Sequence, residues 1–166
     1  MPKEPLFLTG LGQDSHRLSE AREGEVLTLA GLPFACGLAY QGVNSDGDVI
    51  LHALYNALST AVGGGSLGPV GDEFVRQGVK DSREYIKQIL QVVGERGYRV
   101  ANVSVSIEGS RPKMEKYLPM MAKSVANLLE IERARVGLSV TSGEGLTAFG
   151  RGEGLMASVS VLLEHQ

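Results

Sequence analysis

The sequence has no tryptophan, a single cysteine, three histidines and only 5% aromatic residues in 166 positions. Each scarcity narrows what the chain can be. Without aromatics the core must rest on Val, Leu, Ile and Ala, which the 43% apolar content supplies in sufficient amount for one domain spanning 1–166. The lone Cys36 rules out a disulfide framework and fits a reducing, cytoplasmic setting. No apolar run approaches the ~18 residues a bilayer span requires, and Met1-Pro2-Lys3-Glu4-Pro5 carries no signal-peptide core, so no membrane partner is expected. Cationic residues are outnumbered, 16 Lys and Arg against 19 Asp and Glu, for a net charge of −3. With no basic stripe to neutralise phosphates, nucleic acid is excluded as a partner. Neither a G-x-x-x-x-G-K-[ST] loop nor a G-x-S-x-G elbow is present, and Cys36 has no adjacent base.

What is present is periodic. Leu6–Gly12 reads as a strand running into Asp14-Ser15-His16, and Glu25–Gly31 as a second strand closed by a Gly-Leu-Pro turn. Residues 38–45 read as a loop. Val49, Ile50, Ala53, Leu54, Ala57, Leu58 and Ala61 repeat at helical spacing until Gly63-Gly64-Gly65. Residues 66–80 show no clear period and are expected to be loop. A helix opens at Asp81-Ser82-Arg83-Glu84 and ends at Gly97, and another is expected from Pro112 to about Leu129. Val103, Val105 and Ile107 alternate with polar residues, as do Val136, Leu138 and Val140, and the last strand runs Leu155–Leu163. The order β-β-α-α-β-α-β-β fits an α+β layer fold with helices on one sheet face.

The chemistry concentrates in two histidines, because His165 sits at the chain's end. Asp14 and His16, two apart in an extended segment, project to one side. His52 on a neighbouring helix completes a carboxylate and two imidazoles, with one tetrahedral position open, the pattern of a catalytic zinc centre. Asp48 and Asn56 lie four residues either side of His52, where Asp48 could orient the ring. The plainer alternative is a His16 bonded to a turn and a His52 that caps a polar face. Asn44-Ser45 precedes the same helix, whose positive end suits phosphate, although an ordinary N-cap is on frequency the better explanation. Ser142-Gly143-Glu144-Gly145 offers a carboxylate for a hard cation such as Mg²⁺, or is a plain hairpin loop. Arg151-Gly152-Glu153-Gly154 is a turn or an anion contact at an assembly axis.

Taken together these segments resemble the 2-C-methyl-D-erythritol 2,4-cyclodiphosphate synthases of the non-mevalonate route to isoprenoids and terpenoids. The resemblance rests on Gly12–Arg17, Ser45–Leu54, Asp81–Glu84, Pro112–Met114, Thr141–Glu144 and Gly150–Gly154, in order and at the family's spacing. It implies a lyase that closes 4-diphosphocytidyl-2-C-methyl-D-erythritol 2-phosphate into the cyclodiphosphate with release of CMP. It further implies a homotrimer with sheets around a threefold axis and sites between subunits. Asp14, His16 and His52 would hold zinc and Glu144 a second cation, Mg²⁺ or Mn²⁺. Gly109 to Glu115, including Lys113 and Met114, would form the cytosine pocket, with Thr141 and Ser142 beside the cytidine phosphates. Asn44 and Ser45 would adjoin the substrate phosphates and Ser66 and Gly68 the sugar alcohol, with Arg151 and Glu153 at the channel.

The chain departs from the family at several of these places. It has Asn44 for the usual His, Asn56 for Asp, Ser66-Leu67-Gly68 for Asp-Ile-Gly, Pro69–Phe74 for an Asp-rich loop, and Gly145 for a lysine. The alternatives implied are a homologue acting on another nucleotide or phosphorylated substrate, or a non-catalytic zinc-containing trimeric binding protein.

Overall fold

A computed structural model of the chain describes residues 4–166. Five strands form one mixed sheet: β1 (Phe7–Glu20), β4 (Leu38–Tyr40), β5 (Tyr98–Glu108), β6 (Val136–Thr141) and β7 (Gly154–His165), in the order β4-β1-β7-β5-β6. All pairings are antiparallel except β5 with β6. β2 (Leu27–Leu29) and β3 (Leu32–Phe34) make a separate hairpin. Four helices, α1 (Val49–Ala61), α2 (Leu67–Arg76), α3 (Ser82–Glu95) and α4 (Leu118–Leu128), complete the α+β layer.

Alternation puts one sheet face inside. Val103, Val105 and Ile107 of β5 and Leu155, Ala157, Val159, Val161 and Leu163 of β7 are buried beneath the helices. Ser104, Ser106 and Ser160 face outward, and the same outer face of β1 exposes Phe7 and Leu11, the latter 69% exposed. Helix α1 packs on β1 and β7 and is buried at every residue but Asn56 and Thr60, which is why its sequence is apolar nearly all round. It starts where Asp48 accepts the amides of Ile50 and Leu51, and it stops at Gly63, whose φ of 76° takes the chain out of the helix.

Contact between α1 and β1 depends on two glycines. A Cβ at Gly10 would lie 1.9 Å from the Ala57 carbonyl oxygen, and one at Gly12 would lie 2.1 Å from that of Ala53 and 2.3 Å from the Ala57 nitrogen. Helix and strand therefore touch backbone to backbone.

Three expectations are corrected. Residues 66–80 are not a loop, because Leu67–Arg76 is helical. Gly68, Pro69 and Gly71 weaken the local signal, yet Leu67, Val70 and Phe74 line one side, and Phe74 stacks on Tyr85 with ring centroids 4.7 Å apart. Pro119, not Pro112, lies in the first turn of α4, and Pro112 belongs to the irregular segment after β5. Residues 38–40, expected as loop, form β4, and β1 runs unbroken for 14 residues through the extended Asp14-Ser15-His16 segment.

Candidate metal centre and active site

β1 delivers Asp14 and His16 from alternate positions on its helix-facing side, and the first turn of α1 delivers His52. Asp14 Oδ2 lies 3.0 Å from His16 Nε2 and 3.0 Å from His52 Nδ1, and the two nitrogens are 3.3 Å apart. A tetrahedral ion with bonds of about 2.0–2.1 Å separates its ligand atoms by about 3.3 Å, so the three atoms fit three corners around zinc. Their chemistry fits as well, because a carboxylate oxygen and two imidazole nitrogens converge. Burial pushes the Asp14 carboxyl up, but hydrogen bonds and charge from His16 and His52 outweigh it and hold the group at about 2.

The surroundings fix both rings. Tyr40 meets His16 edge-on at 5.3 Å and Tyr85 lies nearly parallel to His52 at 6.0 Å between centroids. Ser82, fully buried at the start of α3, has its Oγ 2.9 Å from His52 Nε2, and that hydroxyl also bonds Asp46. Asp48 does not orient His52, contrary to expectation. Its carboxylate caps α1 and accepts four backbone amides: Ala30, Ile50 and Leu51 on Oδ1, and Gly31 on Oδ2 at 2.6 Å. Burial pushes that carboxyl up to about 6 against the amides that pull it down. Asn56 does not touch His52 either. Its amide donates to the Gln13 carbonyl and accepts from the Leu67 amide, tying β1 to α2. Nor do Asn44 and Ser45 form the helix end, since Asp48 lies between them and α1 and occupies its first amides.

A cleft of about 320 Å³ opens over the triad, and Asn44, Ser45, Asn56, Ser66 and Gly68 line it. The structure thus brings Asp14, His16, Asn44, Ser45, His52, Ser66 and Gly68 together, with Asn56 beside them. The other assigned residues gather elsewhere, at the ends of β5 and β6 and the start of β7. Gly109 donates to the Thr141 carbonyl, Ser142 Oγ donates to Glu144 Oε1 at 2.7 Å, and Glu144 is exposed with a φ of 49°. Lys113 is exposed, whereas the Met114 side chain is buried in the core. Arg151 pairs with Glu153 at 2.9 Å. Among the described residues only Asp14, His16 and His52 form a possible ligand cluster, so Glu144 does not meet them within one chain. Asp46 and Ser82 fall in segments that the sequence marks as informative, yet nothing in their spacing gives them a role.

A carboxylate, two imidazoles and an open cleft, set on one layer of strands and helices, form a group that could hold a metal ion with one position open. Residues 7–164 match the model of the YgbB family, and the chain belongs to that family. It is 37% identical over 164 residues to the 2-C-methyl-D-erythritol 2,4-cyclodiphosphate synthase of Chlamydia trachomatis serovar L2b, covering 98% of this chain and 91% of that one. The Chlamydia caviae enzyme of the same name is 38% identical over 151 residues, 90% of this chain and 85% of the other. Among solved structures, a 2C-methyl-D-erythritol-2,4-cyclodiphosphate synthase in its CDP-bound form superposes with a TM-score of 0.84 at 31% identity, over 94% of this chain and 99% of that one. The bifunctional IspDF of Campylobacter jejuni superposes with a TM-score of 0.86 at 29% identity over 96% of this chain, which spans 42% of that longer protein.

Proposed function

We propose that this chain is a metal-dependent 2-C-methyl-D-erythritol 2,4-cyclodiphosphate synthase. The observation that carries the reading is the convergence of Asp14, His16 and His52 at the corner spacing of a tetrahedral ion, in a chain whose relatives bear that name. On this reading the three residues hold zinc, which supplies Lewis-acid polarisation of a diphosphate oxygen. The chain's residues position the substrate. The cleft beside Asn44, Ser45 and Ser66 takes the diphosphate and sugar alcohol, so that the substrate's 2-phosphate oxygen attacks the β-phosphorus in line and CMP departs. The nucleophile and leaving group both belong to the substrate, so no protein nucleophile is needed.

Glu144, Thr141, Ser142 and Lys113 complete the site from a neighbouring subunit, with Glu144 on Mg²⁺ or Mn²⁺ and the Gly109–Met114 segment at the cytosine. Their position at the ends of β5 and β6, outside the cleft over the triad, supports this. The exposed Phe7 and Leu11 on the open sheet face support a homotrimer with its sheets innermost, Arg151 and Glu153 lining the axis. Among the described residues no helix is long and apolar enough to cross a membrane. The free thiol of Cys36 supports a reducing, cytoplasmic setting. The neutral cleft wall at Asn44, Asn56 and Ser66 favours, as the second reading, a relative of the same chemistry acting on a different phosphorylated alcohol.

Purified protein given the cytidyl substrate and Mg²⁺ is expected to release CMP, and none at high enzyme concentration would end the first reading. The shared site has a sharper test. His52→Ala and Glu144→Ala proteins, each inactive, are dissociated, mixed and reassembled. Random trimers built from sites with one half per subunit recover about a quarter of wild-type activity. No recovery would place both halves in one chain.

A further inference from the structure

The two imidazoles of the triad are held in different ways. His52 has the Ser82 hydroxyl 2.9 Å from its Nε2 and the Tyr85 ring beside it. His16 is the less buried of the two, and its Nδ1 meets no hydrogen-bond partner among the described residues. Apart from His52, the aromatic ring that meets it is Tyr40, edge-on with centroids 5.3 Å apart. Strand pairing brings Tyr40 there. β4 lies antiparallel to β1 with Tyr40 opposite Leu18. Residues directly opposite share a face, and the diagonal neighbour two positions along the partner strand is within reach of an aromatic side chain. His16 is that neighbour. Gly47 makes room for the buried ring, because a Cβ there would lie 2.8 Å from Tyr40 Cδ2. The Tyr40 hydroxyl is buried as well and has no hydrogen-bond partner among the described residues. A buried hydroxyl without a bond costs stability that a bare ring would not, so what this position gives the site is contact by the ring. Tyr40 does not line the cleft over the triad, so a change there leaves the substrate-facing wall as it is.

We infer that Tyr40 is a positioning residue that holds His16 by ring contact alone. The orientation it holds puts His16 Nε2 3.0 Å from Asp14 Oδ2 and 3.3 Å from His52 Nδ1. A smaller side chain at position 40 leaves the imidazole without a wall on that side, and the other staggered χ1 wells open to it. Those wells carry Nε2 away from the two atoms it has to meet. The hold on the ring belongs to the metal-free chain, whereas its effect on cation affinity rests on the metal reading above.

The test compares wild type with Tyr40→Leu, Tyr40→Phe and Tyr98→Leu. Tyr98, also buried, lies at the far end of the sheet opposite His165, so its truncation removes the same atoms remote from the triad. Three-bond couplings to the His16 β-protons report its χ1 in the metal-free protein. Chelator competition, on protein with a wild-type circular dichroism spectrum, reports zinc affinity. Tyr40→Phe and Tyr98→Leu are expected to keep His16 in one rotamer and to bind zinc within about twofold of wild type, while Tyr40→Leu averages the rotamer and loses about 10–100-fold. Should Tyr40→Leu not fold, Tyr40→Met, which fills more of the space, takes its place with the same expectation. A Leu or Met variant with a single His16 rotamer and wild-type affinity overturns the inference. So does a Tyr40→Phe protein as weak as Tyr40→Leu, which would make the hydroxyl the working group. An equal loss in Tyr98→Leu overturns it too, since affinity would then follow stability. A wild type that binds no zinc would instead refute the metal reading, and the His16 couplings would still decide for or against Tyr40.

Discussion

Gly12→Ala tests whether backbone contact between α1 and β1 sets the metal centre. The new methyl carbon would lie 2.1 Å from the Ala53 carbonyl oxygen, 2.3 Å from the Ala57 nitrogen and 2.9 Å from the Asn56 carbonyl carbon. All three atoms belong to the backbone of one helix, so no rotamer change relieves the overlap. Restoring ordinary contact requires α1 and β1 to separate by roughly 1 Å. Overpacking of this kind costs about 1–3 kcal/mol, which lowers Tm by about 2–4 °C per kcal/mol for a domain of this size. The displacement falls on the ligands, because Gly12 is two residues from Asp14 and Ala53 is next to His52. Metal sites tolerate about 0.2 Å, so the variant should lose most bound zinc even where it stays folded. Gly137→Ala, on exposed β6 with open space at its Cβ, is the control and should change neither property. Elemental analysis and a melting curve decide the matter. A Gly12→Ala protein with wild-type zinc content and an unchanged Tm would show that the helix is not held by that contact.

Two further outcomes are expected. Asp48→Asn keeps an acceptor for Ala30, Ile50 and Leu51 but turns an NH₂ toward the Gly31 amide, so denaturant titration should show a loss of about 1–3 kcal/mol, and an unchanged midpoint would contradict the four-amide cap. In metal-free protein, Asp14 held at about 2 binds its proton less readily folded than unfolded, so it contributes about 2 kcal/mol above pH 4 that fades as pH falls through 2. Asp14→Asn should therefore narrow its stability gap to wild type on acidification, and a gap independent of pH would refute the pairing.

The legible parts of the fold are those where local pattern and burial coincide. β5 and β7 alternate in sequence because one sheet face is buried and the other is open, and α1 announces itself through an unbroken helical repeat. α2 escapes such a reading because Gly68, Pro69 and Gly71 speak against helix. What holds it is Phe74 stacked on Tyr85 of α3, a contact between two elements that no local period records. Pro112 and Pro119 both carry the mark of a helix start, and only Pro119 precedes the buried stripe Met121, Ala122, Val125 and Ala126. In the site, spacing singles out Asp14, His16 and His52 as candidate ligands because strand and helix periods are local. It misplaces Asp48, because a residue four before His52 can either share its face or cap the helix, and the buried amides of Ala30 and Gly31 decide for the cap. Ser82 carries no sequence mark of its role, which exists only once α3 packs beside α1.

The ligand set couples function to stability. Asp14 and His16 come from β1 and His52 from α1, so the centre exists only while helix and strand are docked through Gly10 and Gly12. A cation bound there binds the folded chain and not the unfolded one, which stabilises the fold by RT ln(1 + [L]/Kd), about 2.7 kcal/mol at a hundredfold excess over Kd. The Glu144 segment is different in kind: an exposed turn with a positive φ, stitched mainly by Ser142 and remote from the buried core. On the proposed reading a rigid half would fix the metal and an exposed half would meet it from another subunit, with geometry on one side and substrate access on the other. Substitutions at Asn44, Asn56 and Ser66 can alter the cleft wall while Asp14, His16 and His52 keep their spacing, since among the described residues no side-chain hydrogen bond joins one group to the other.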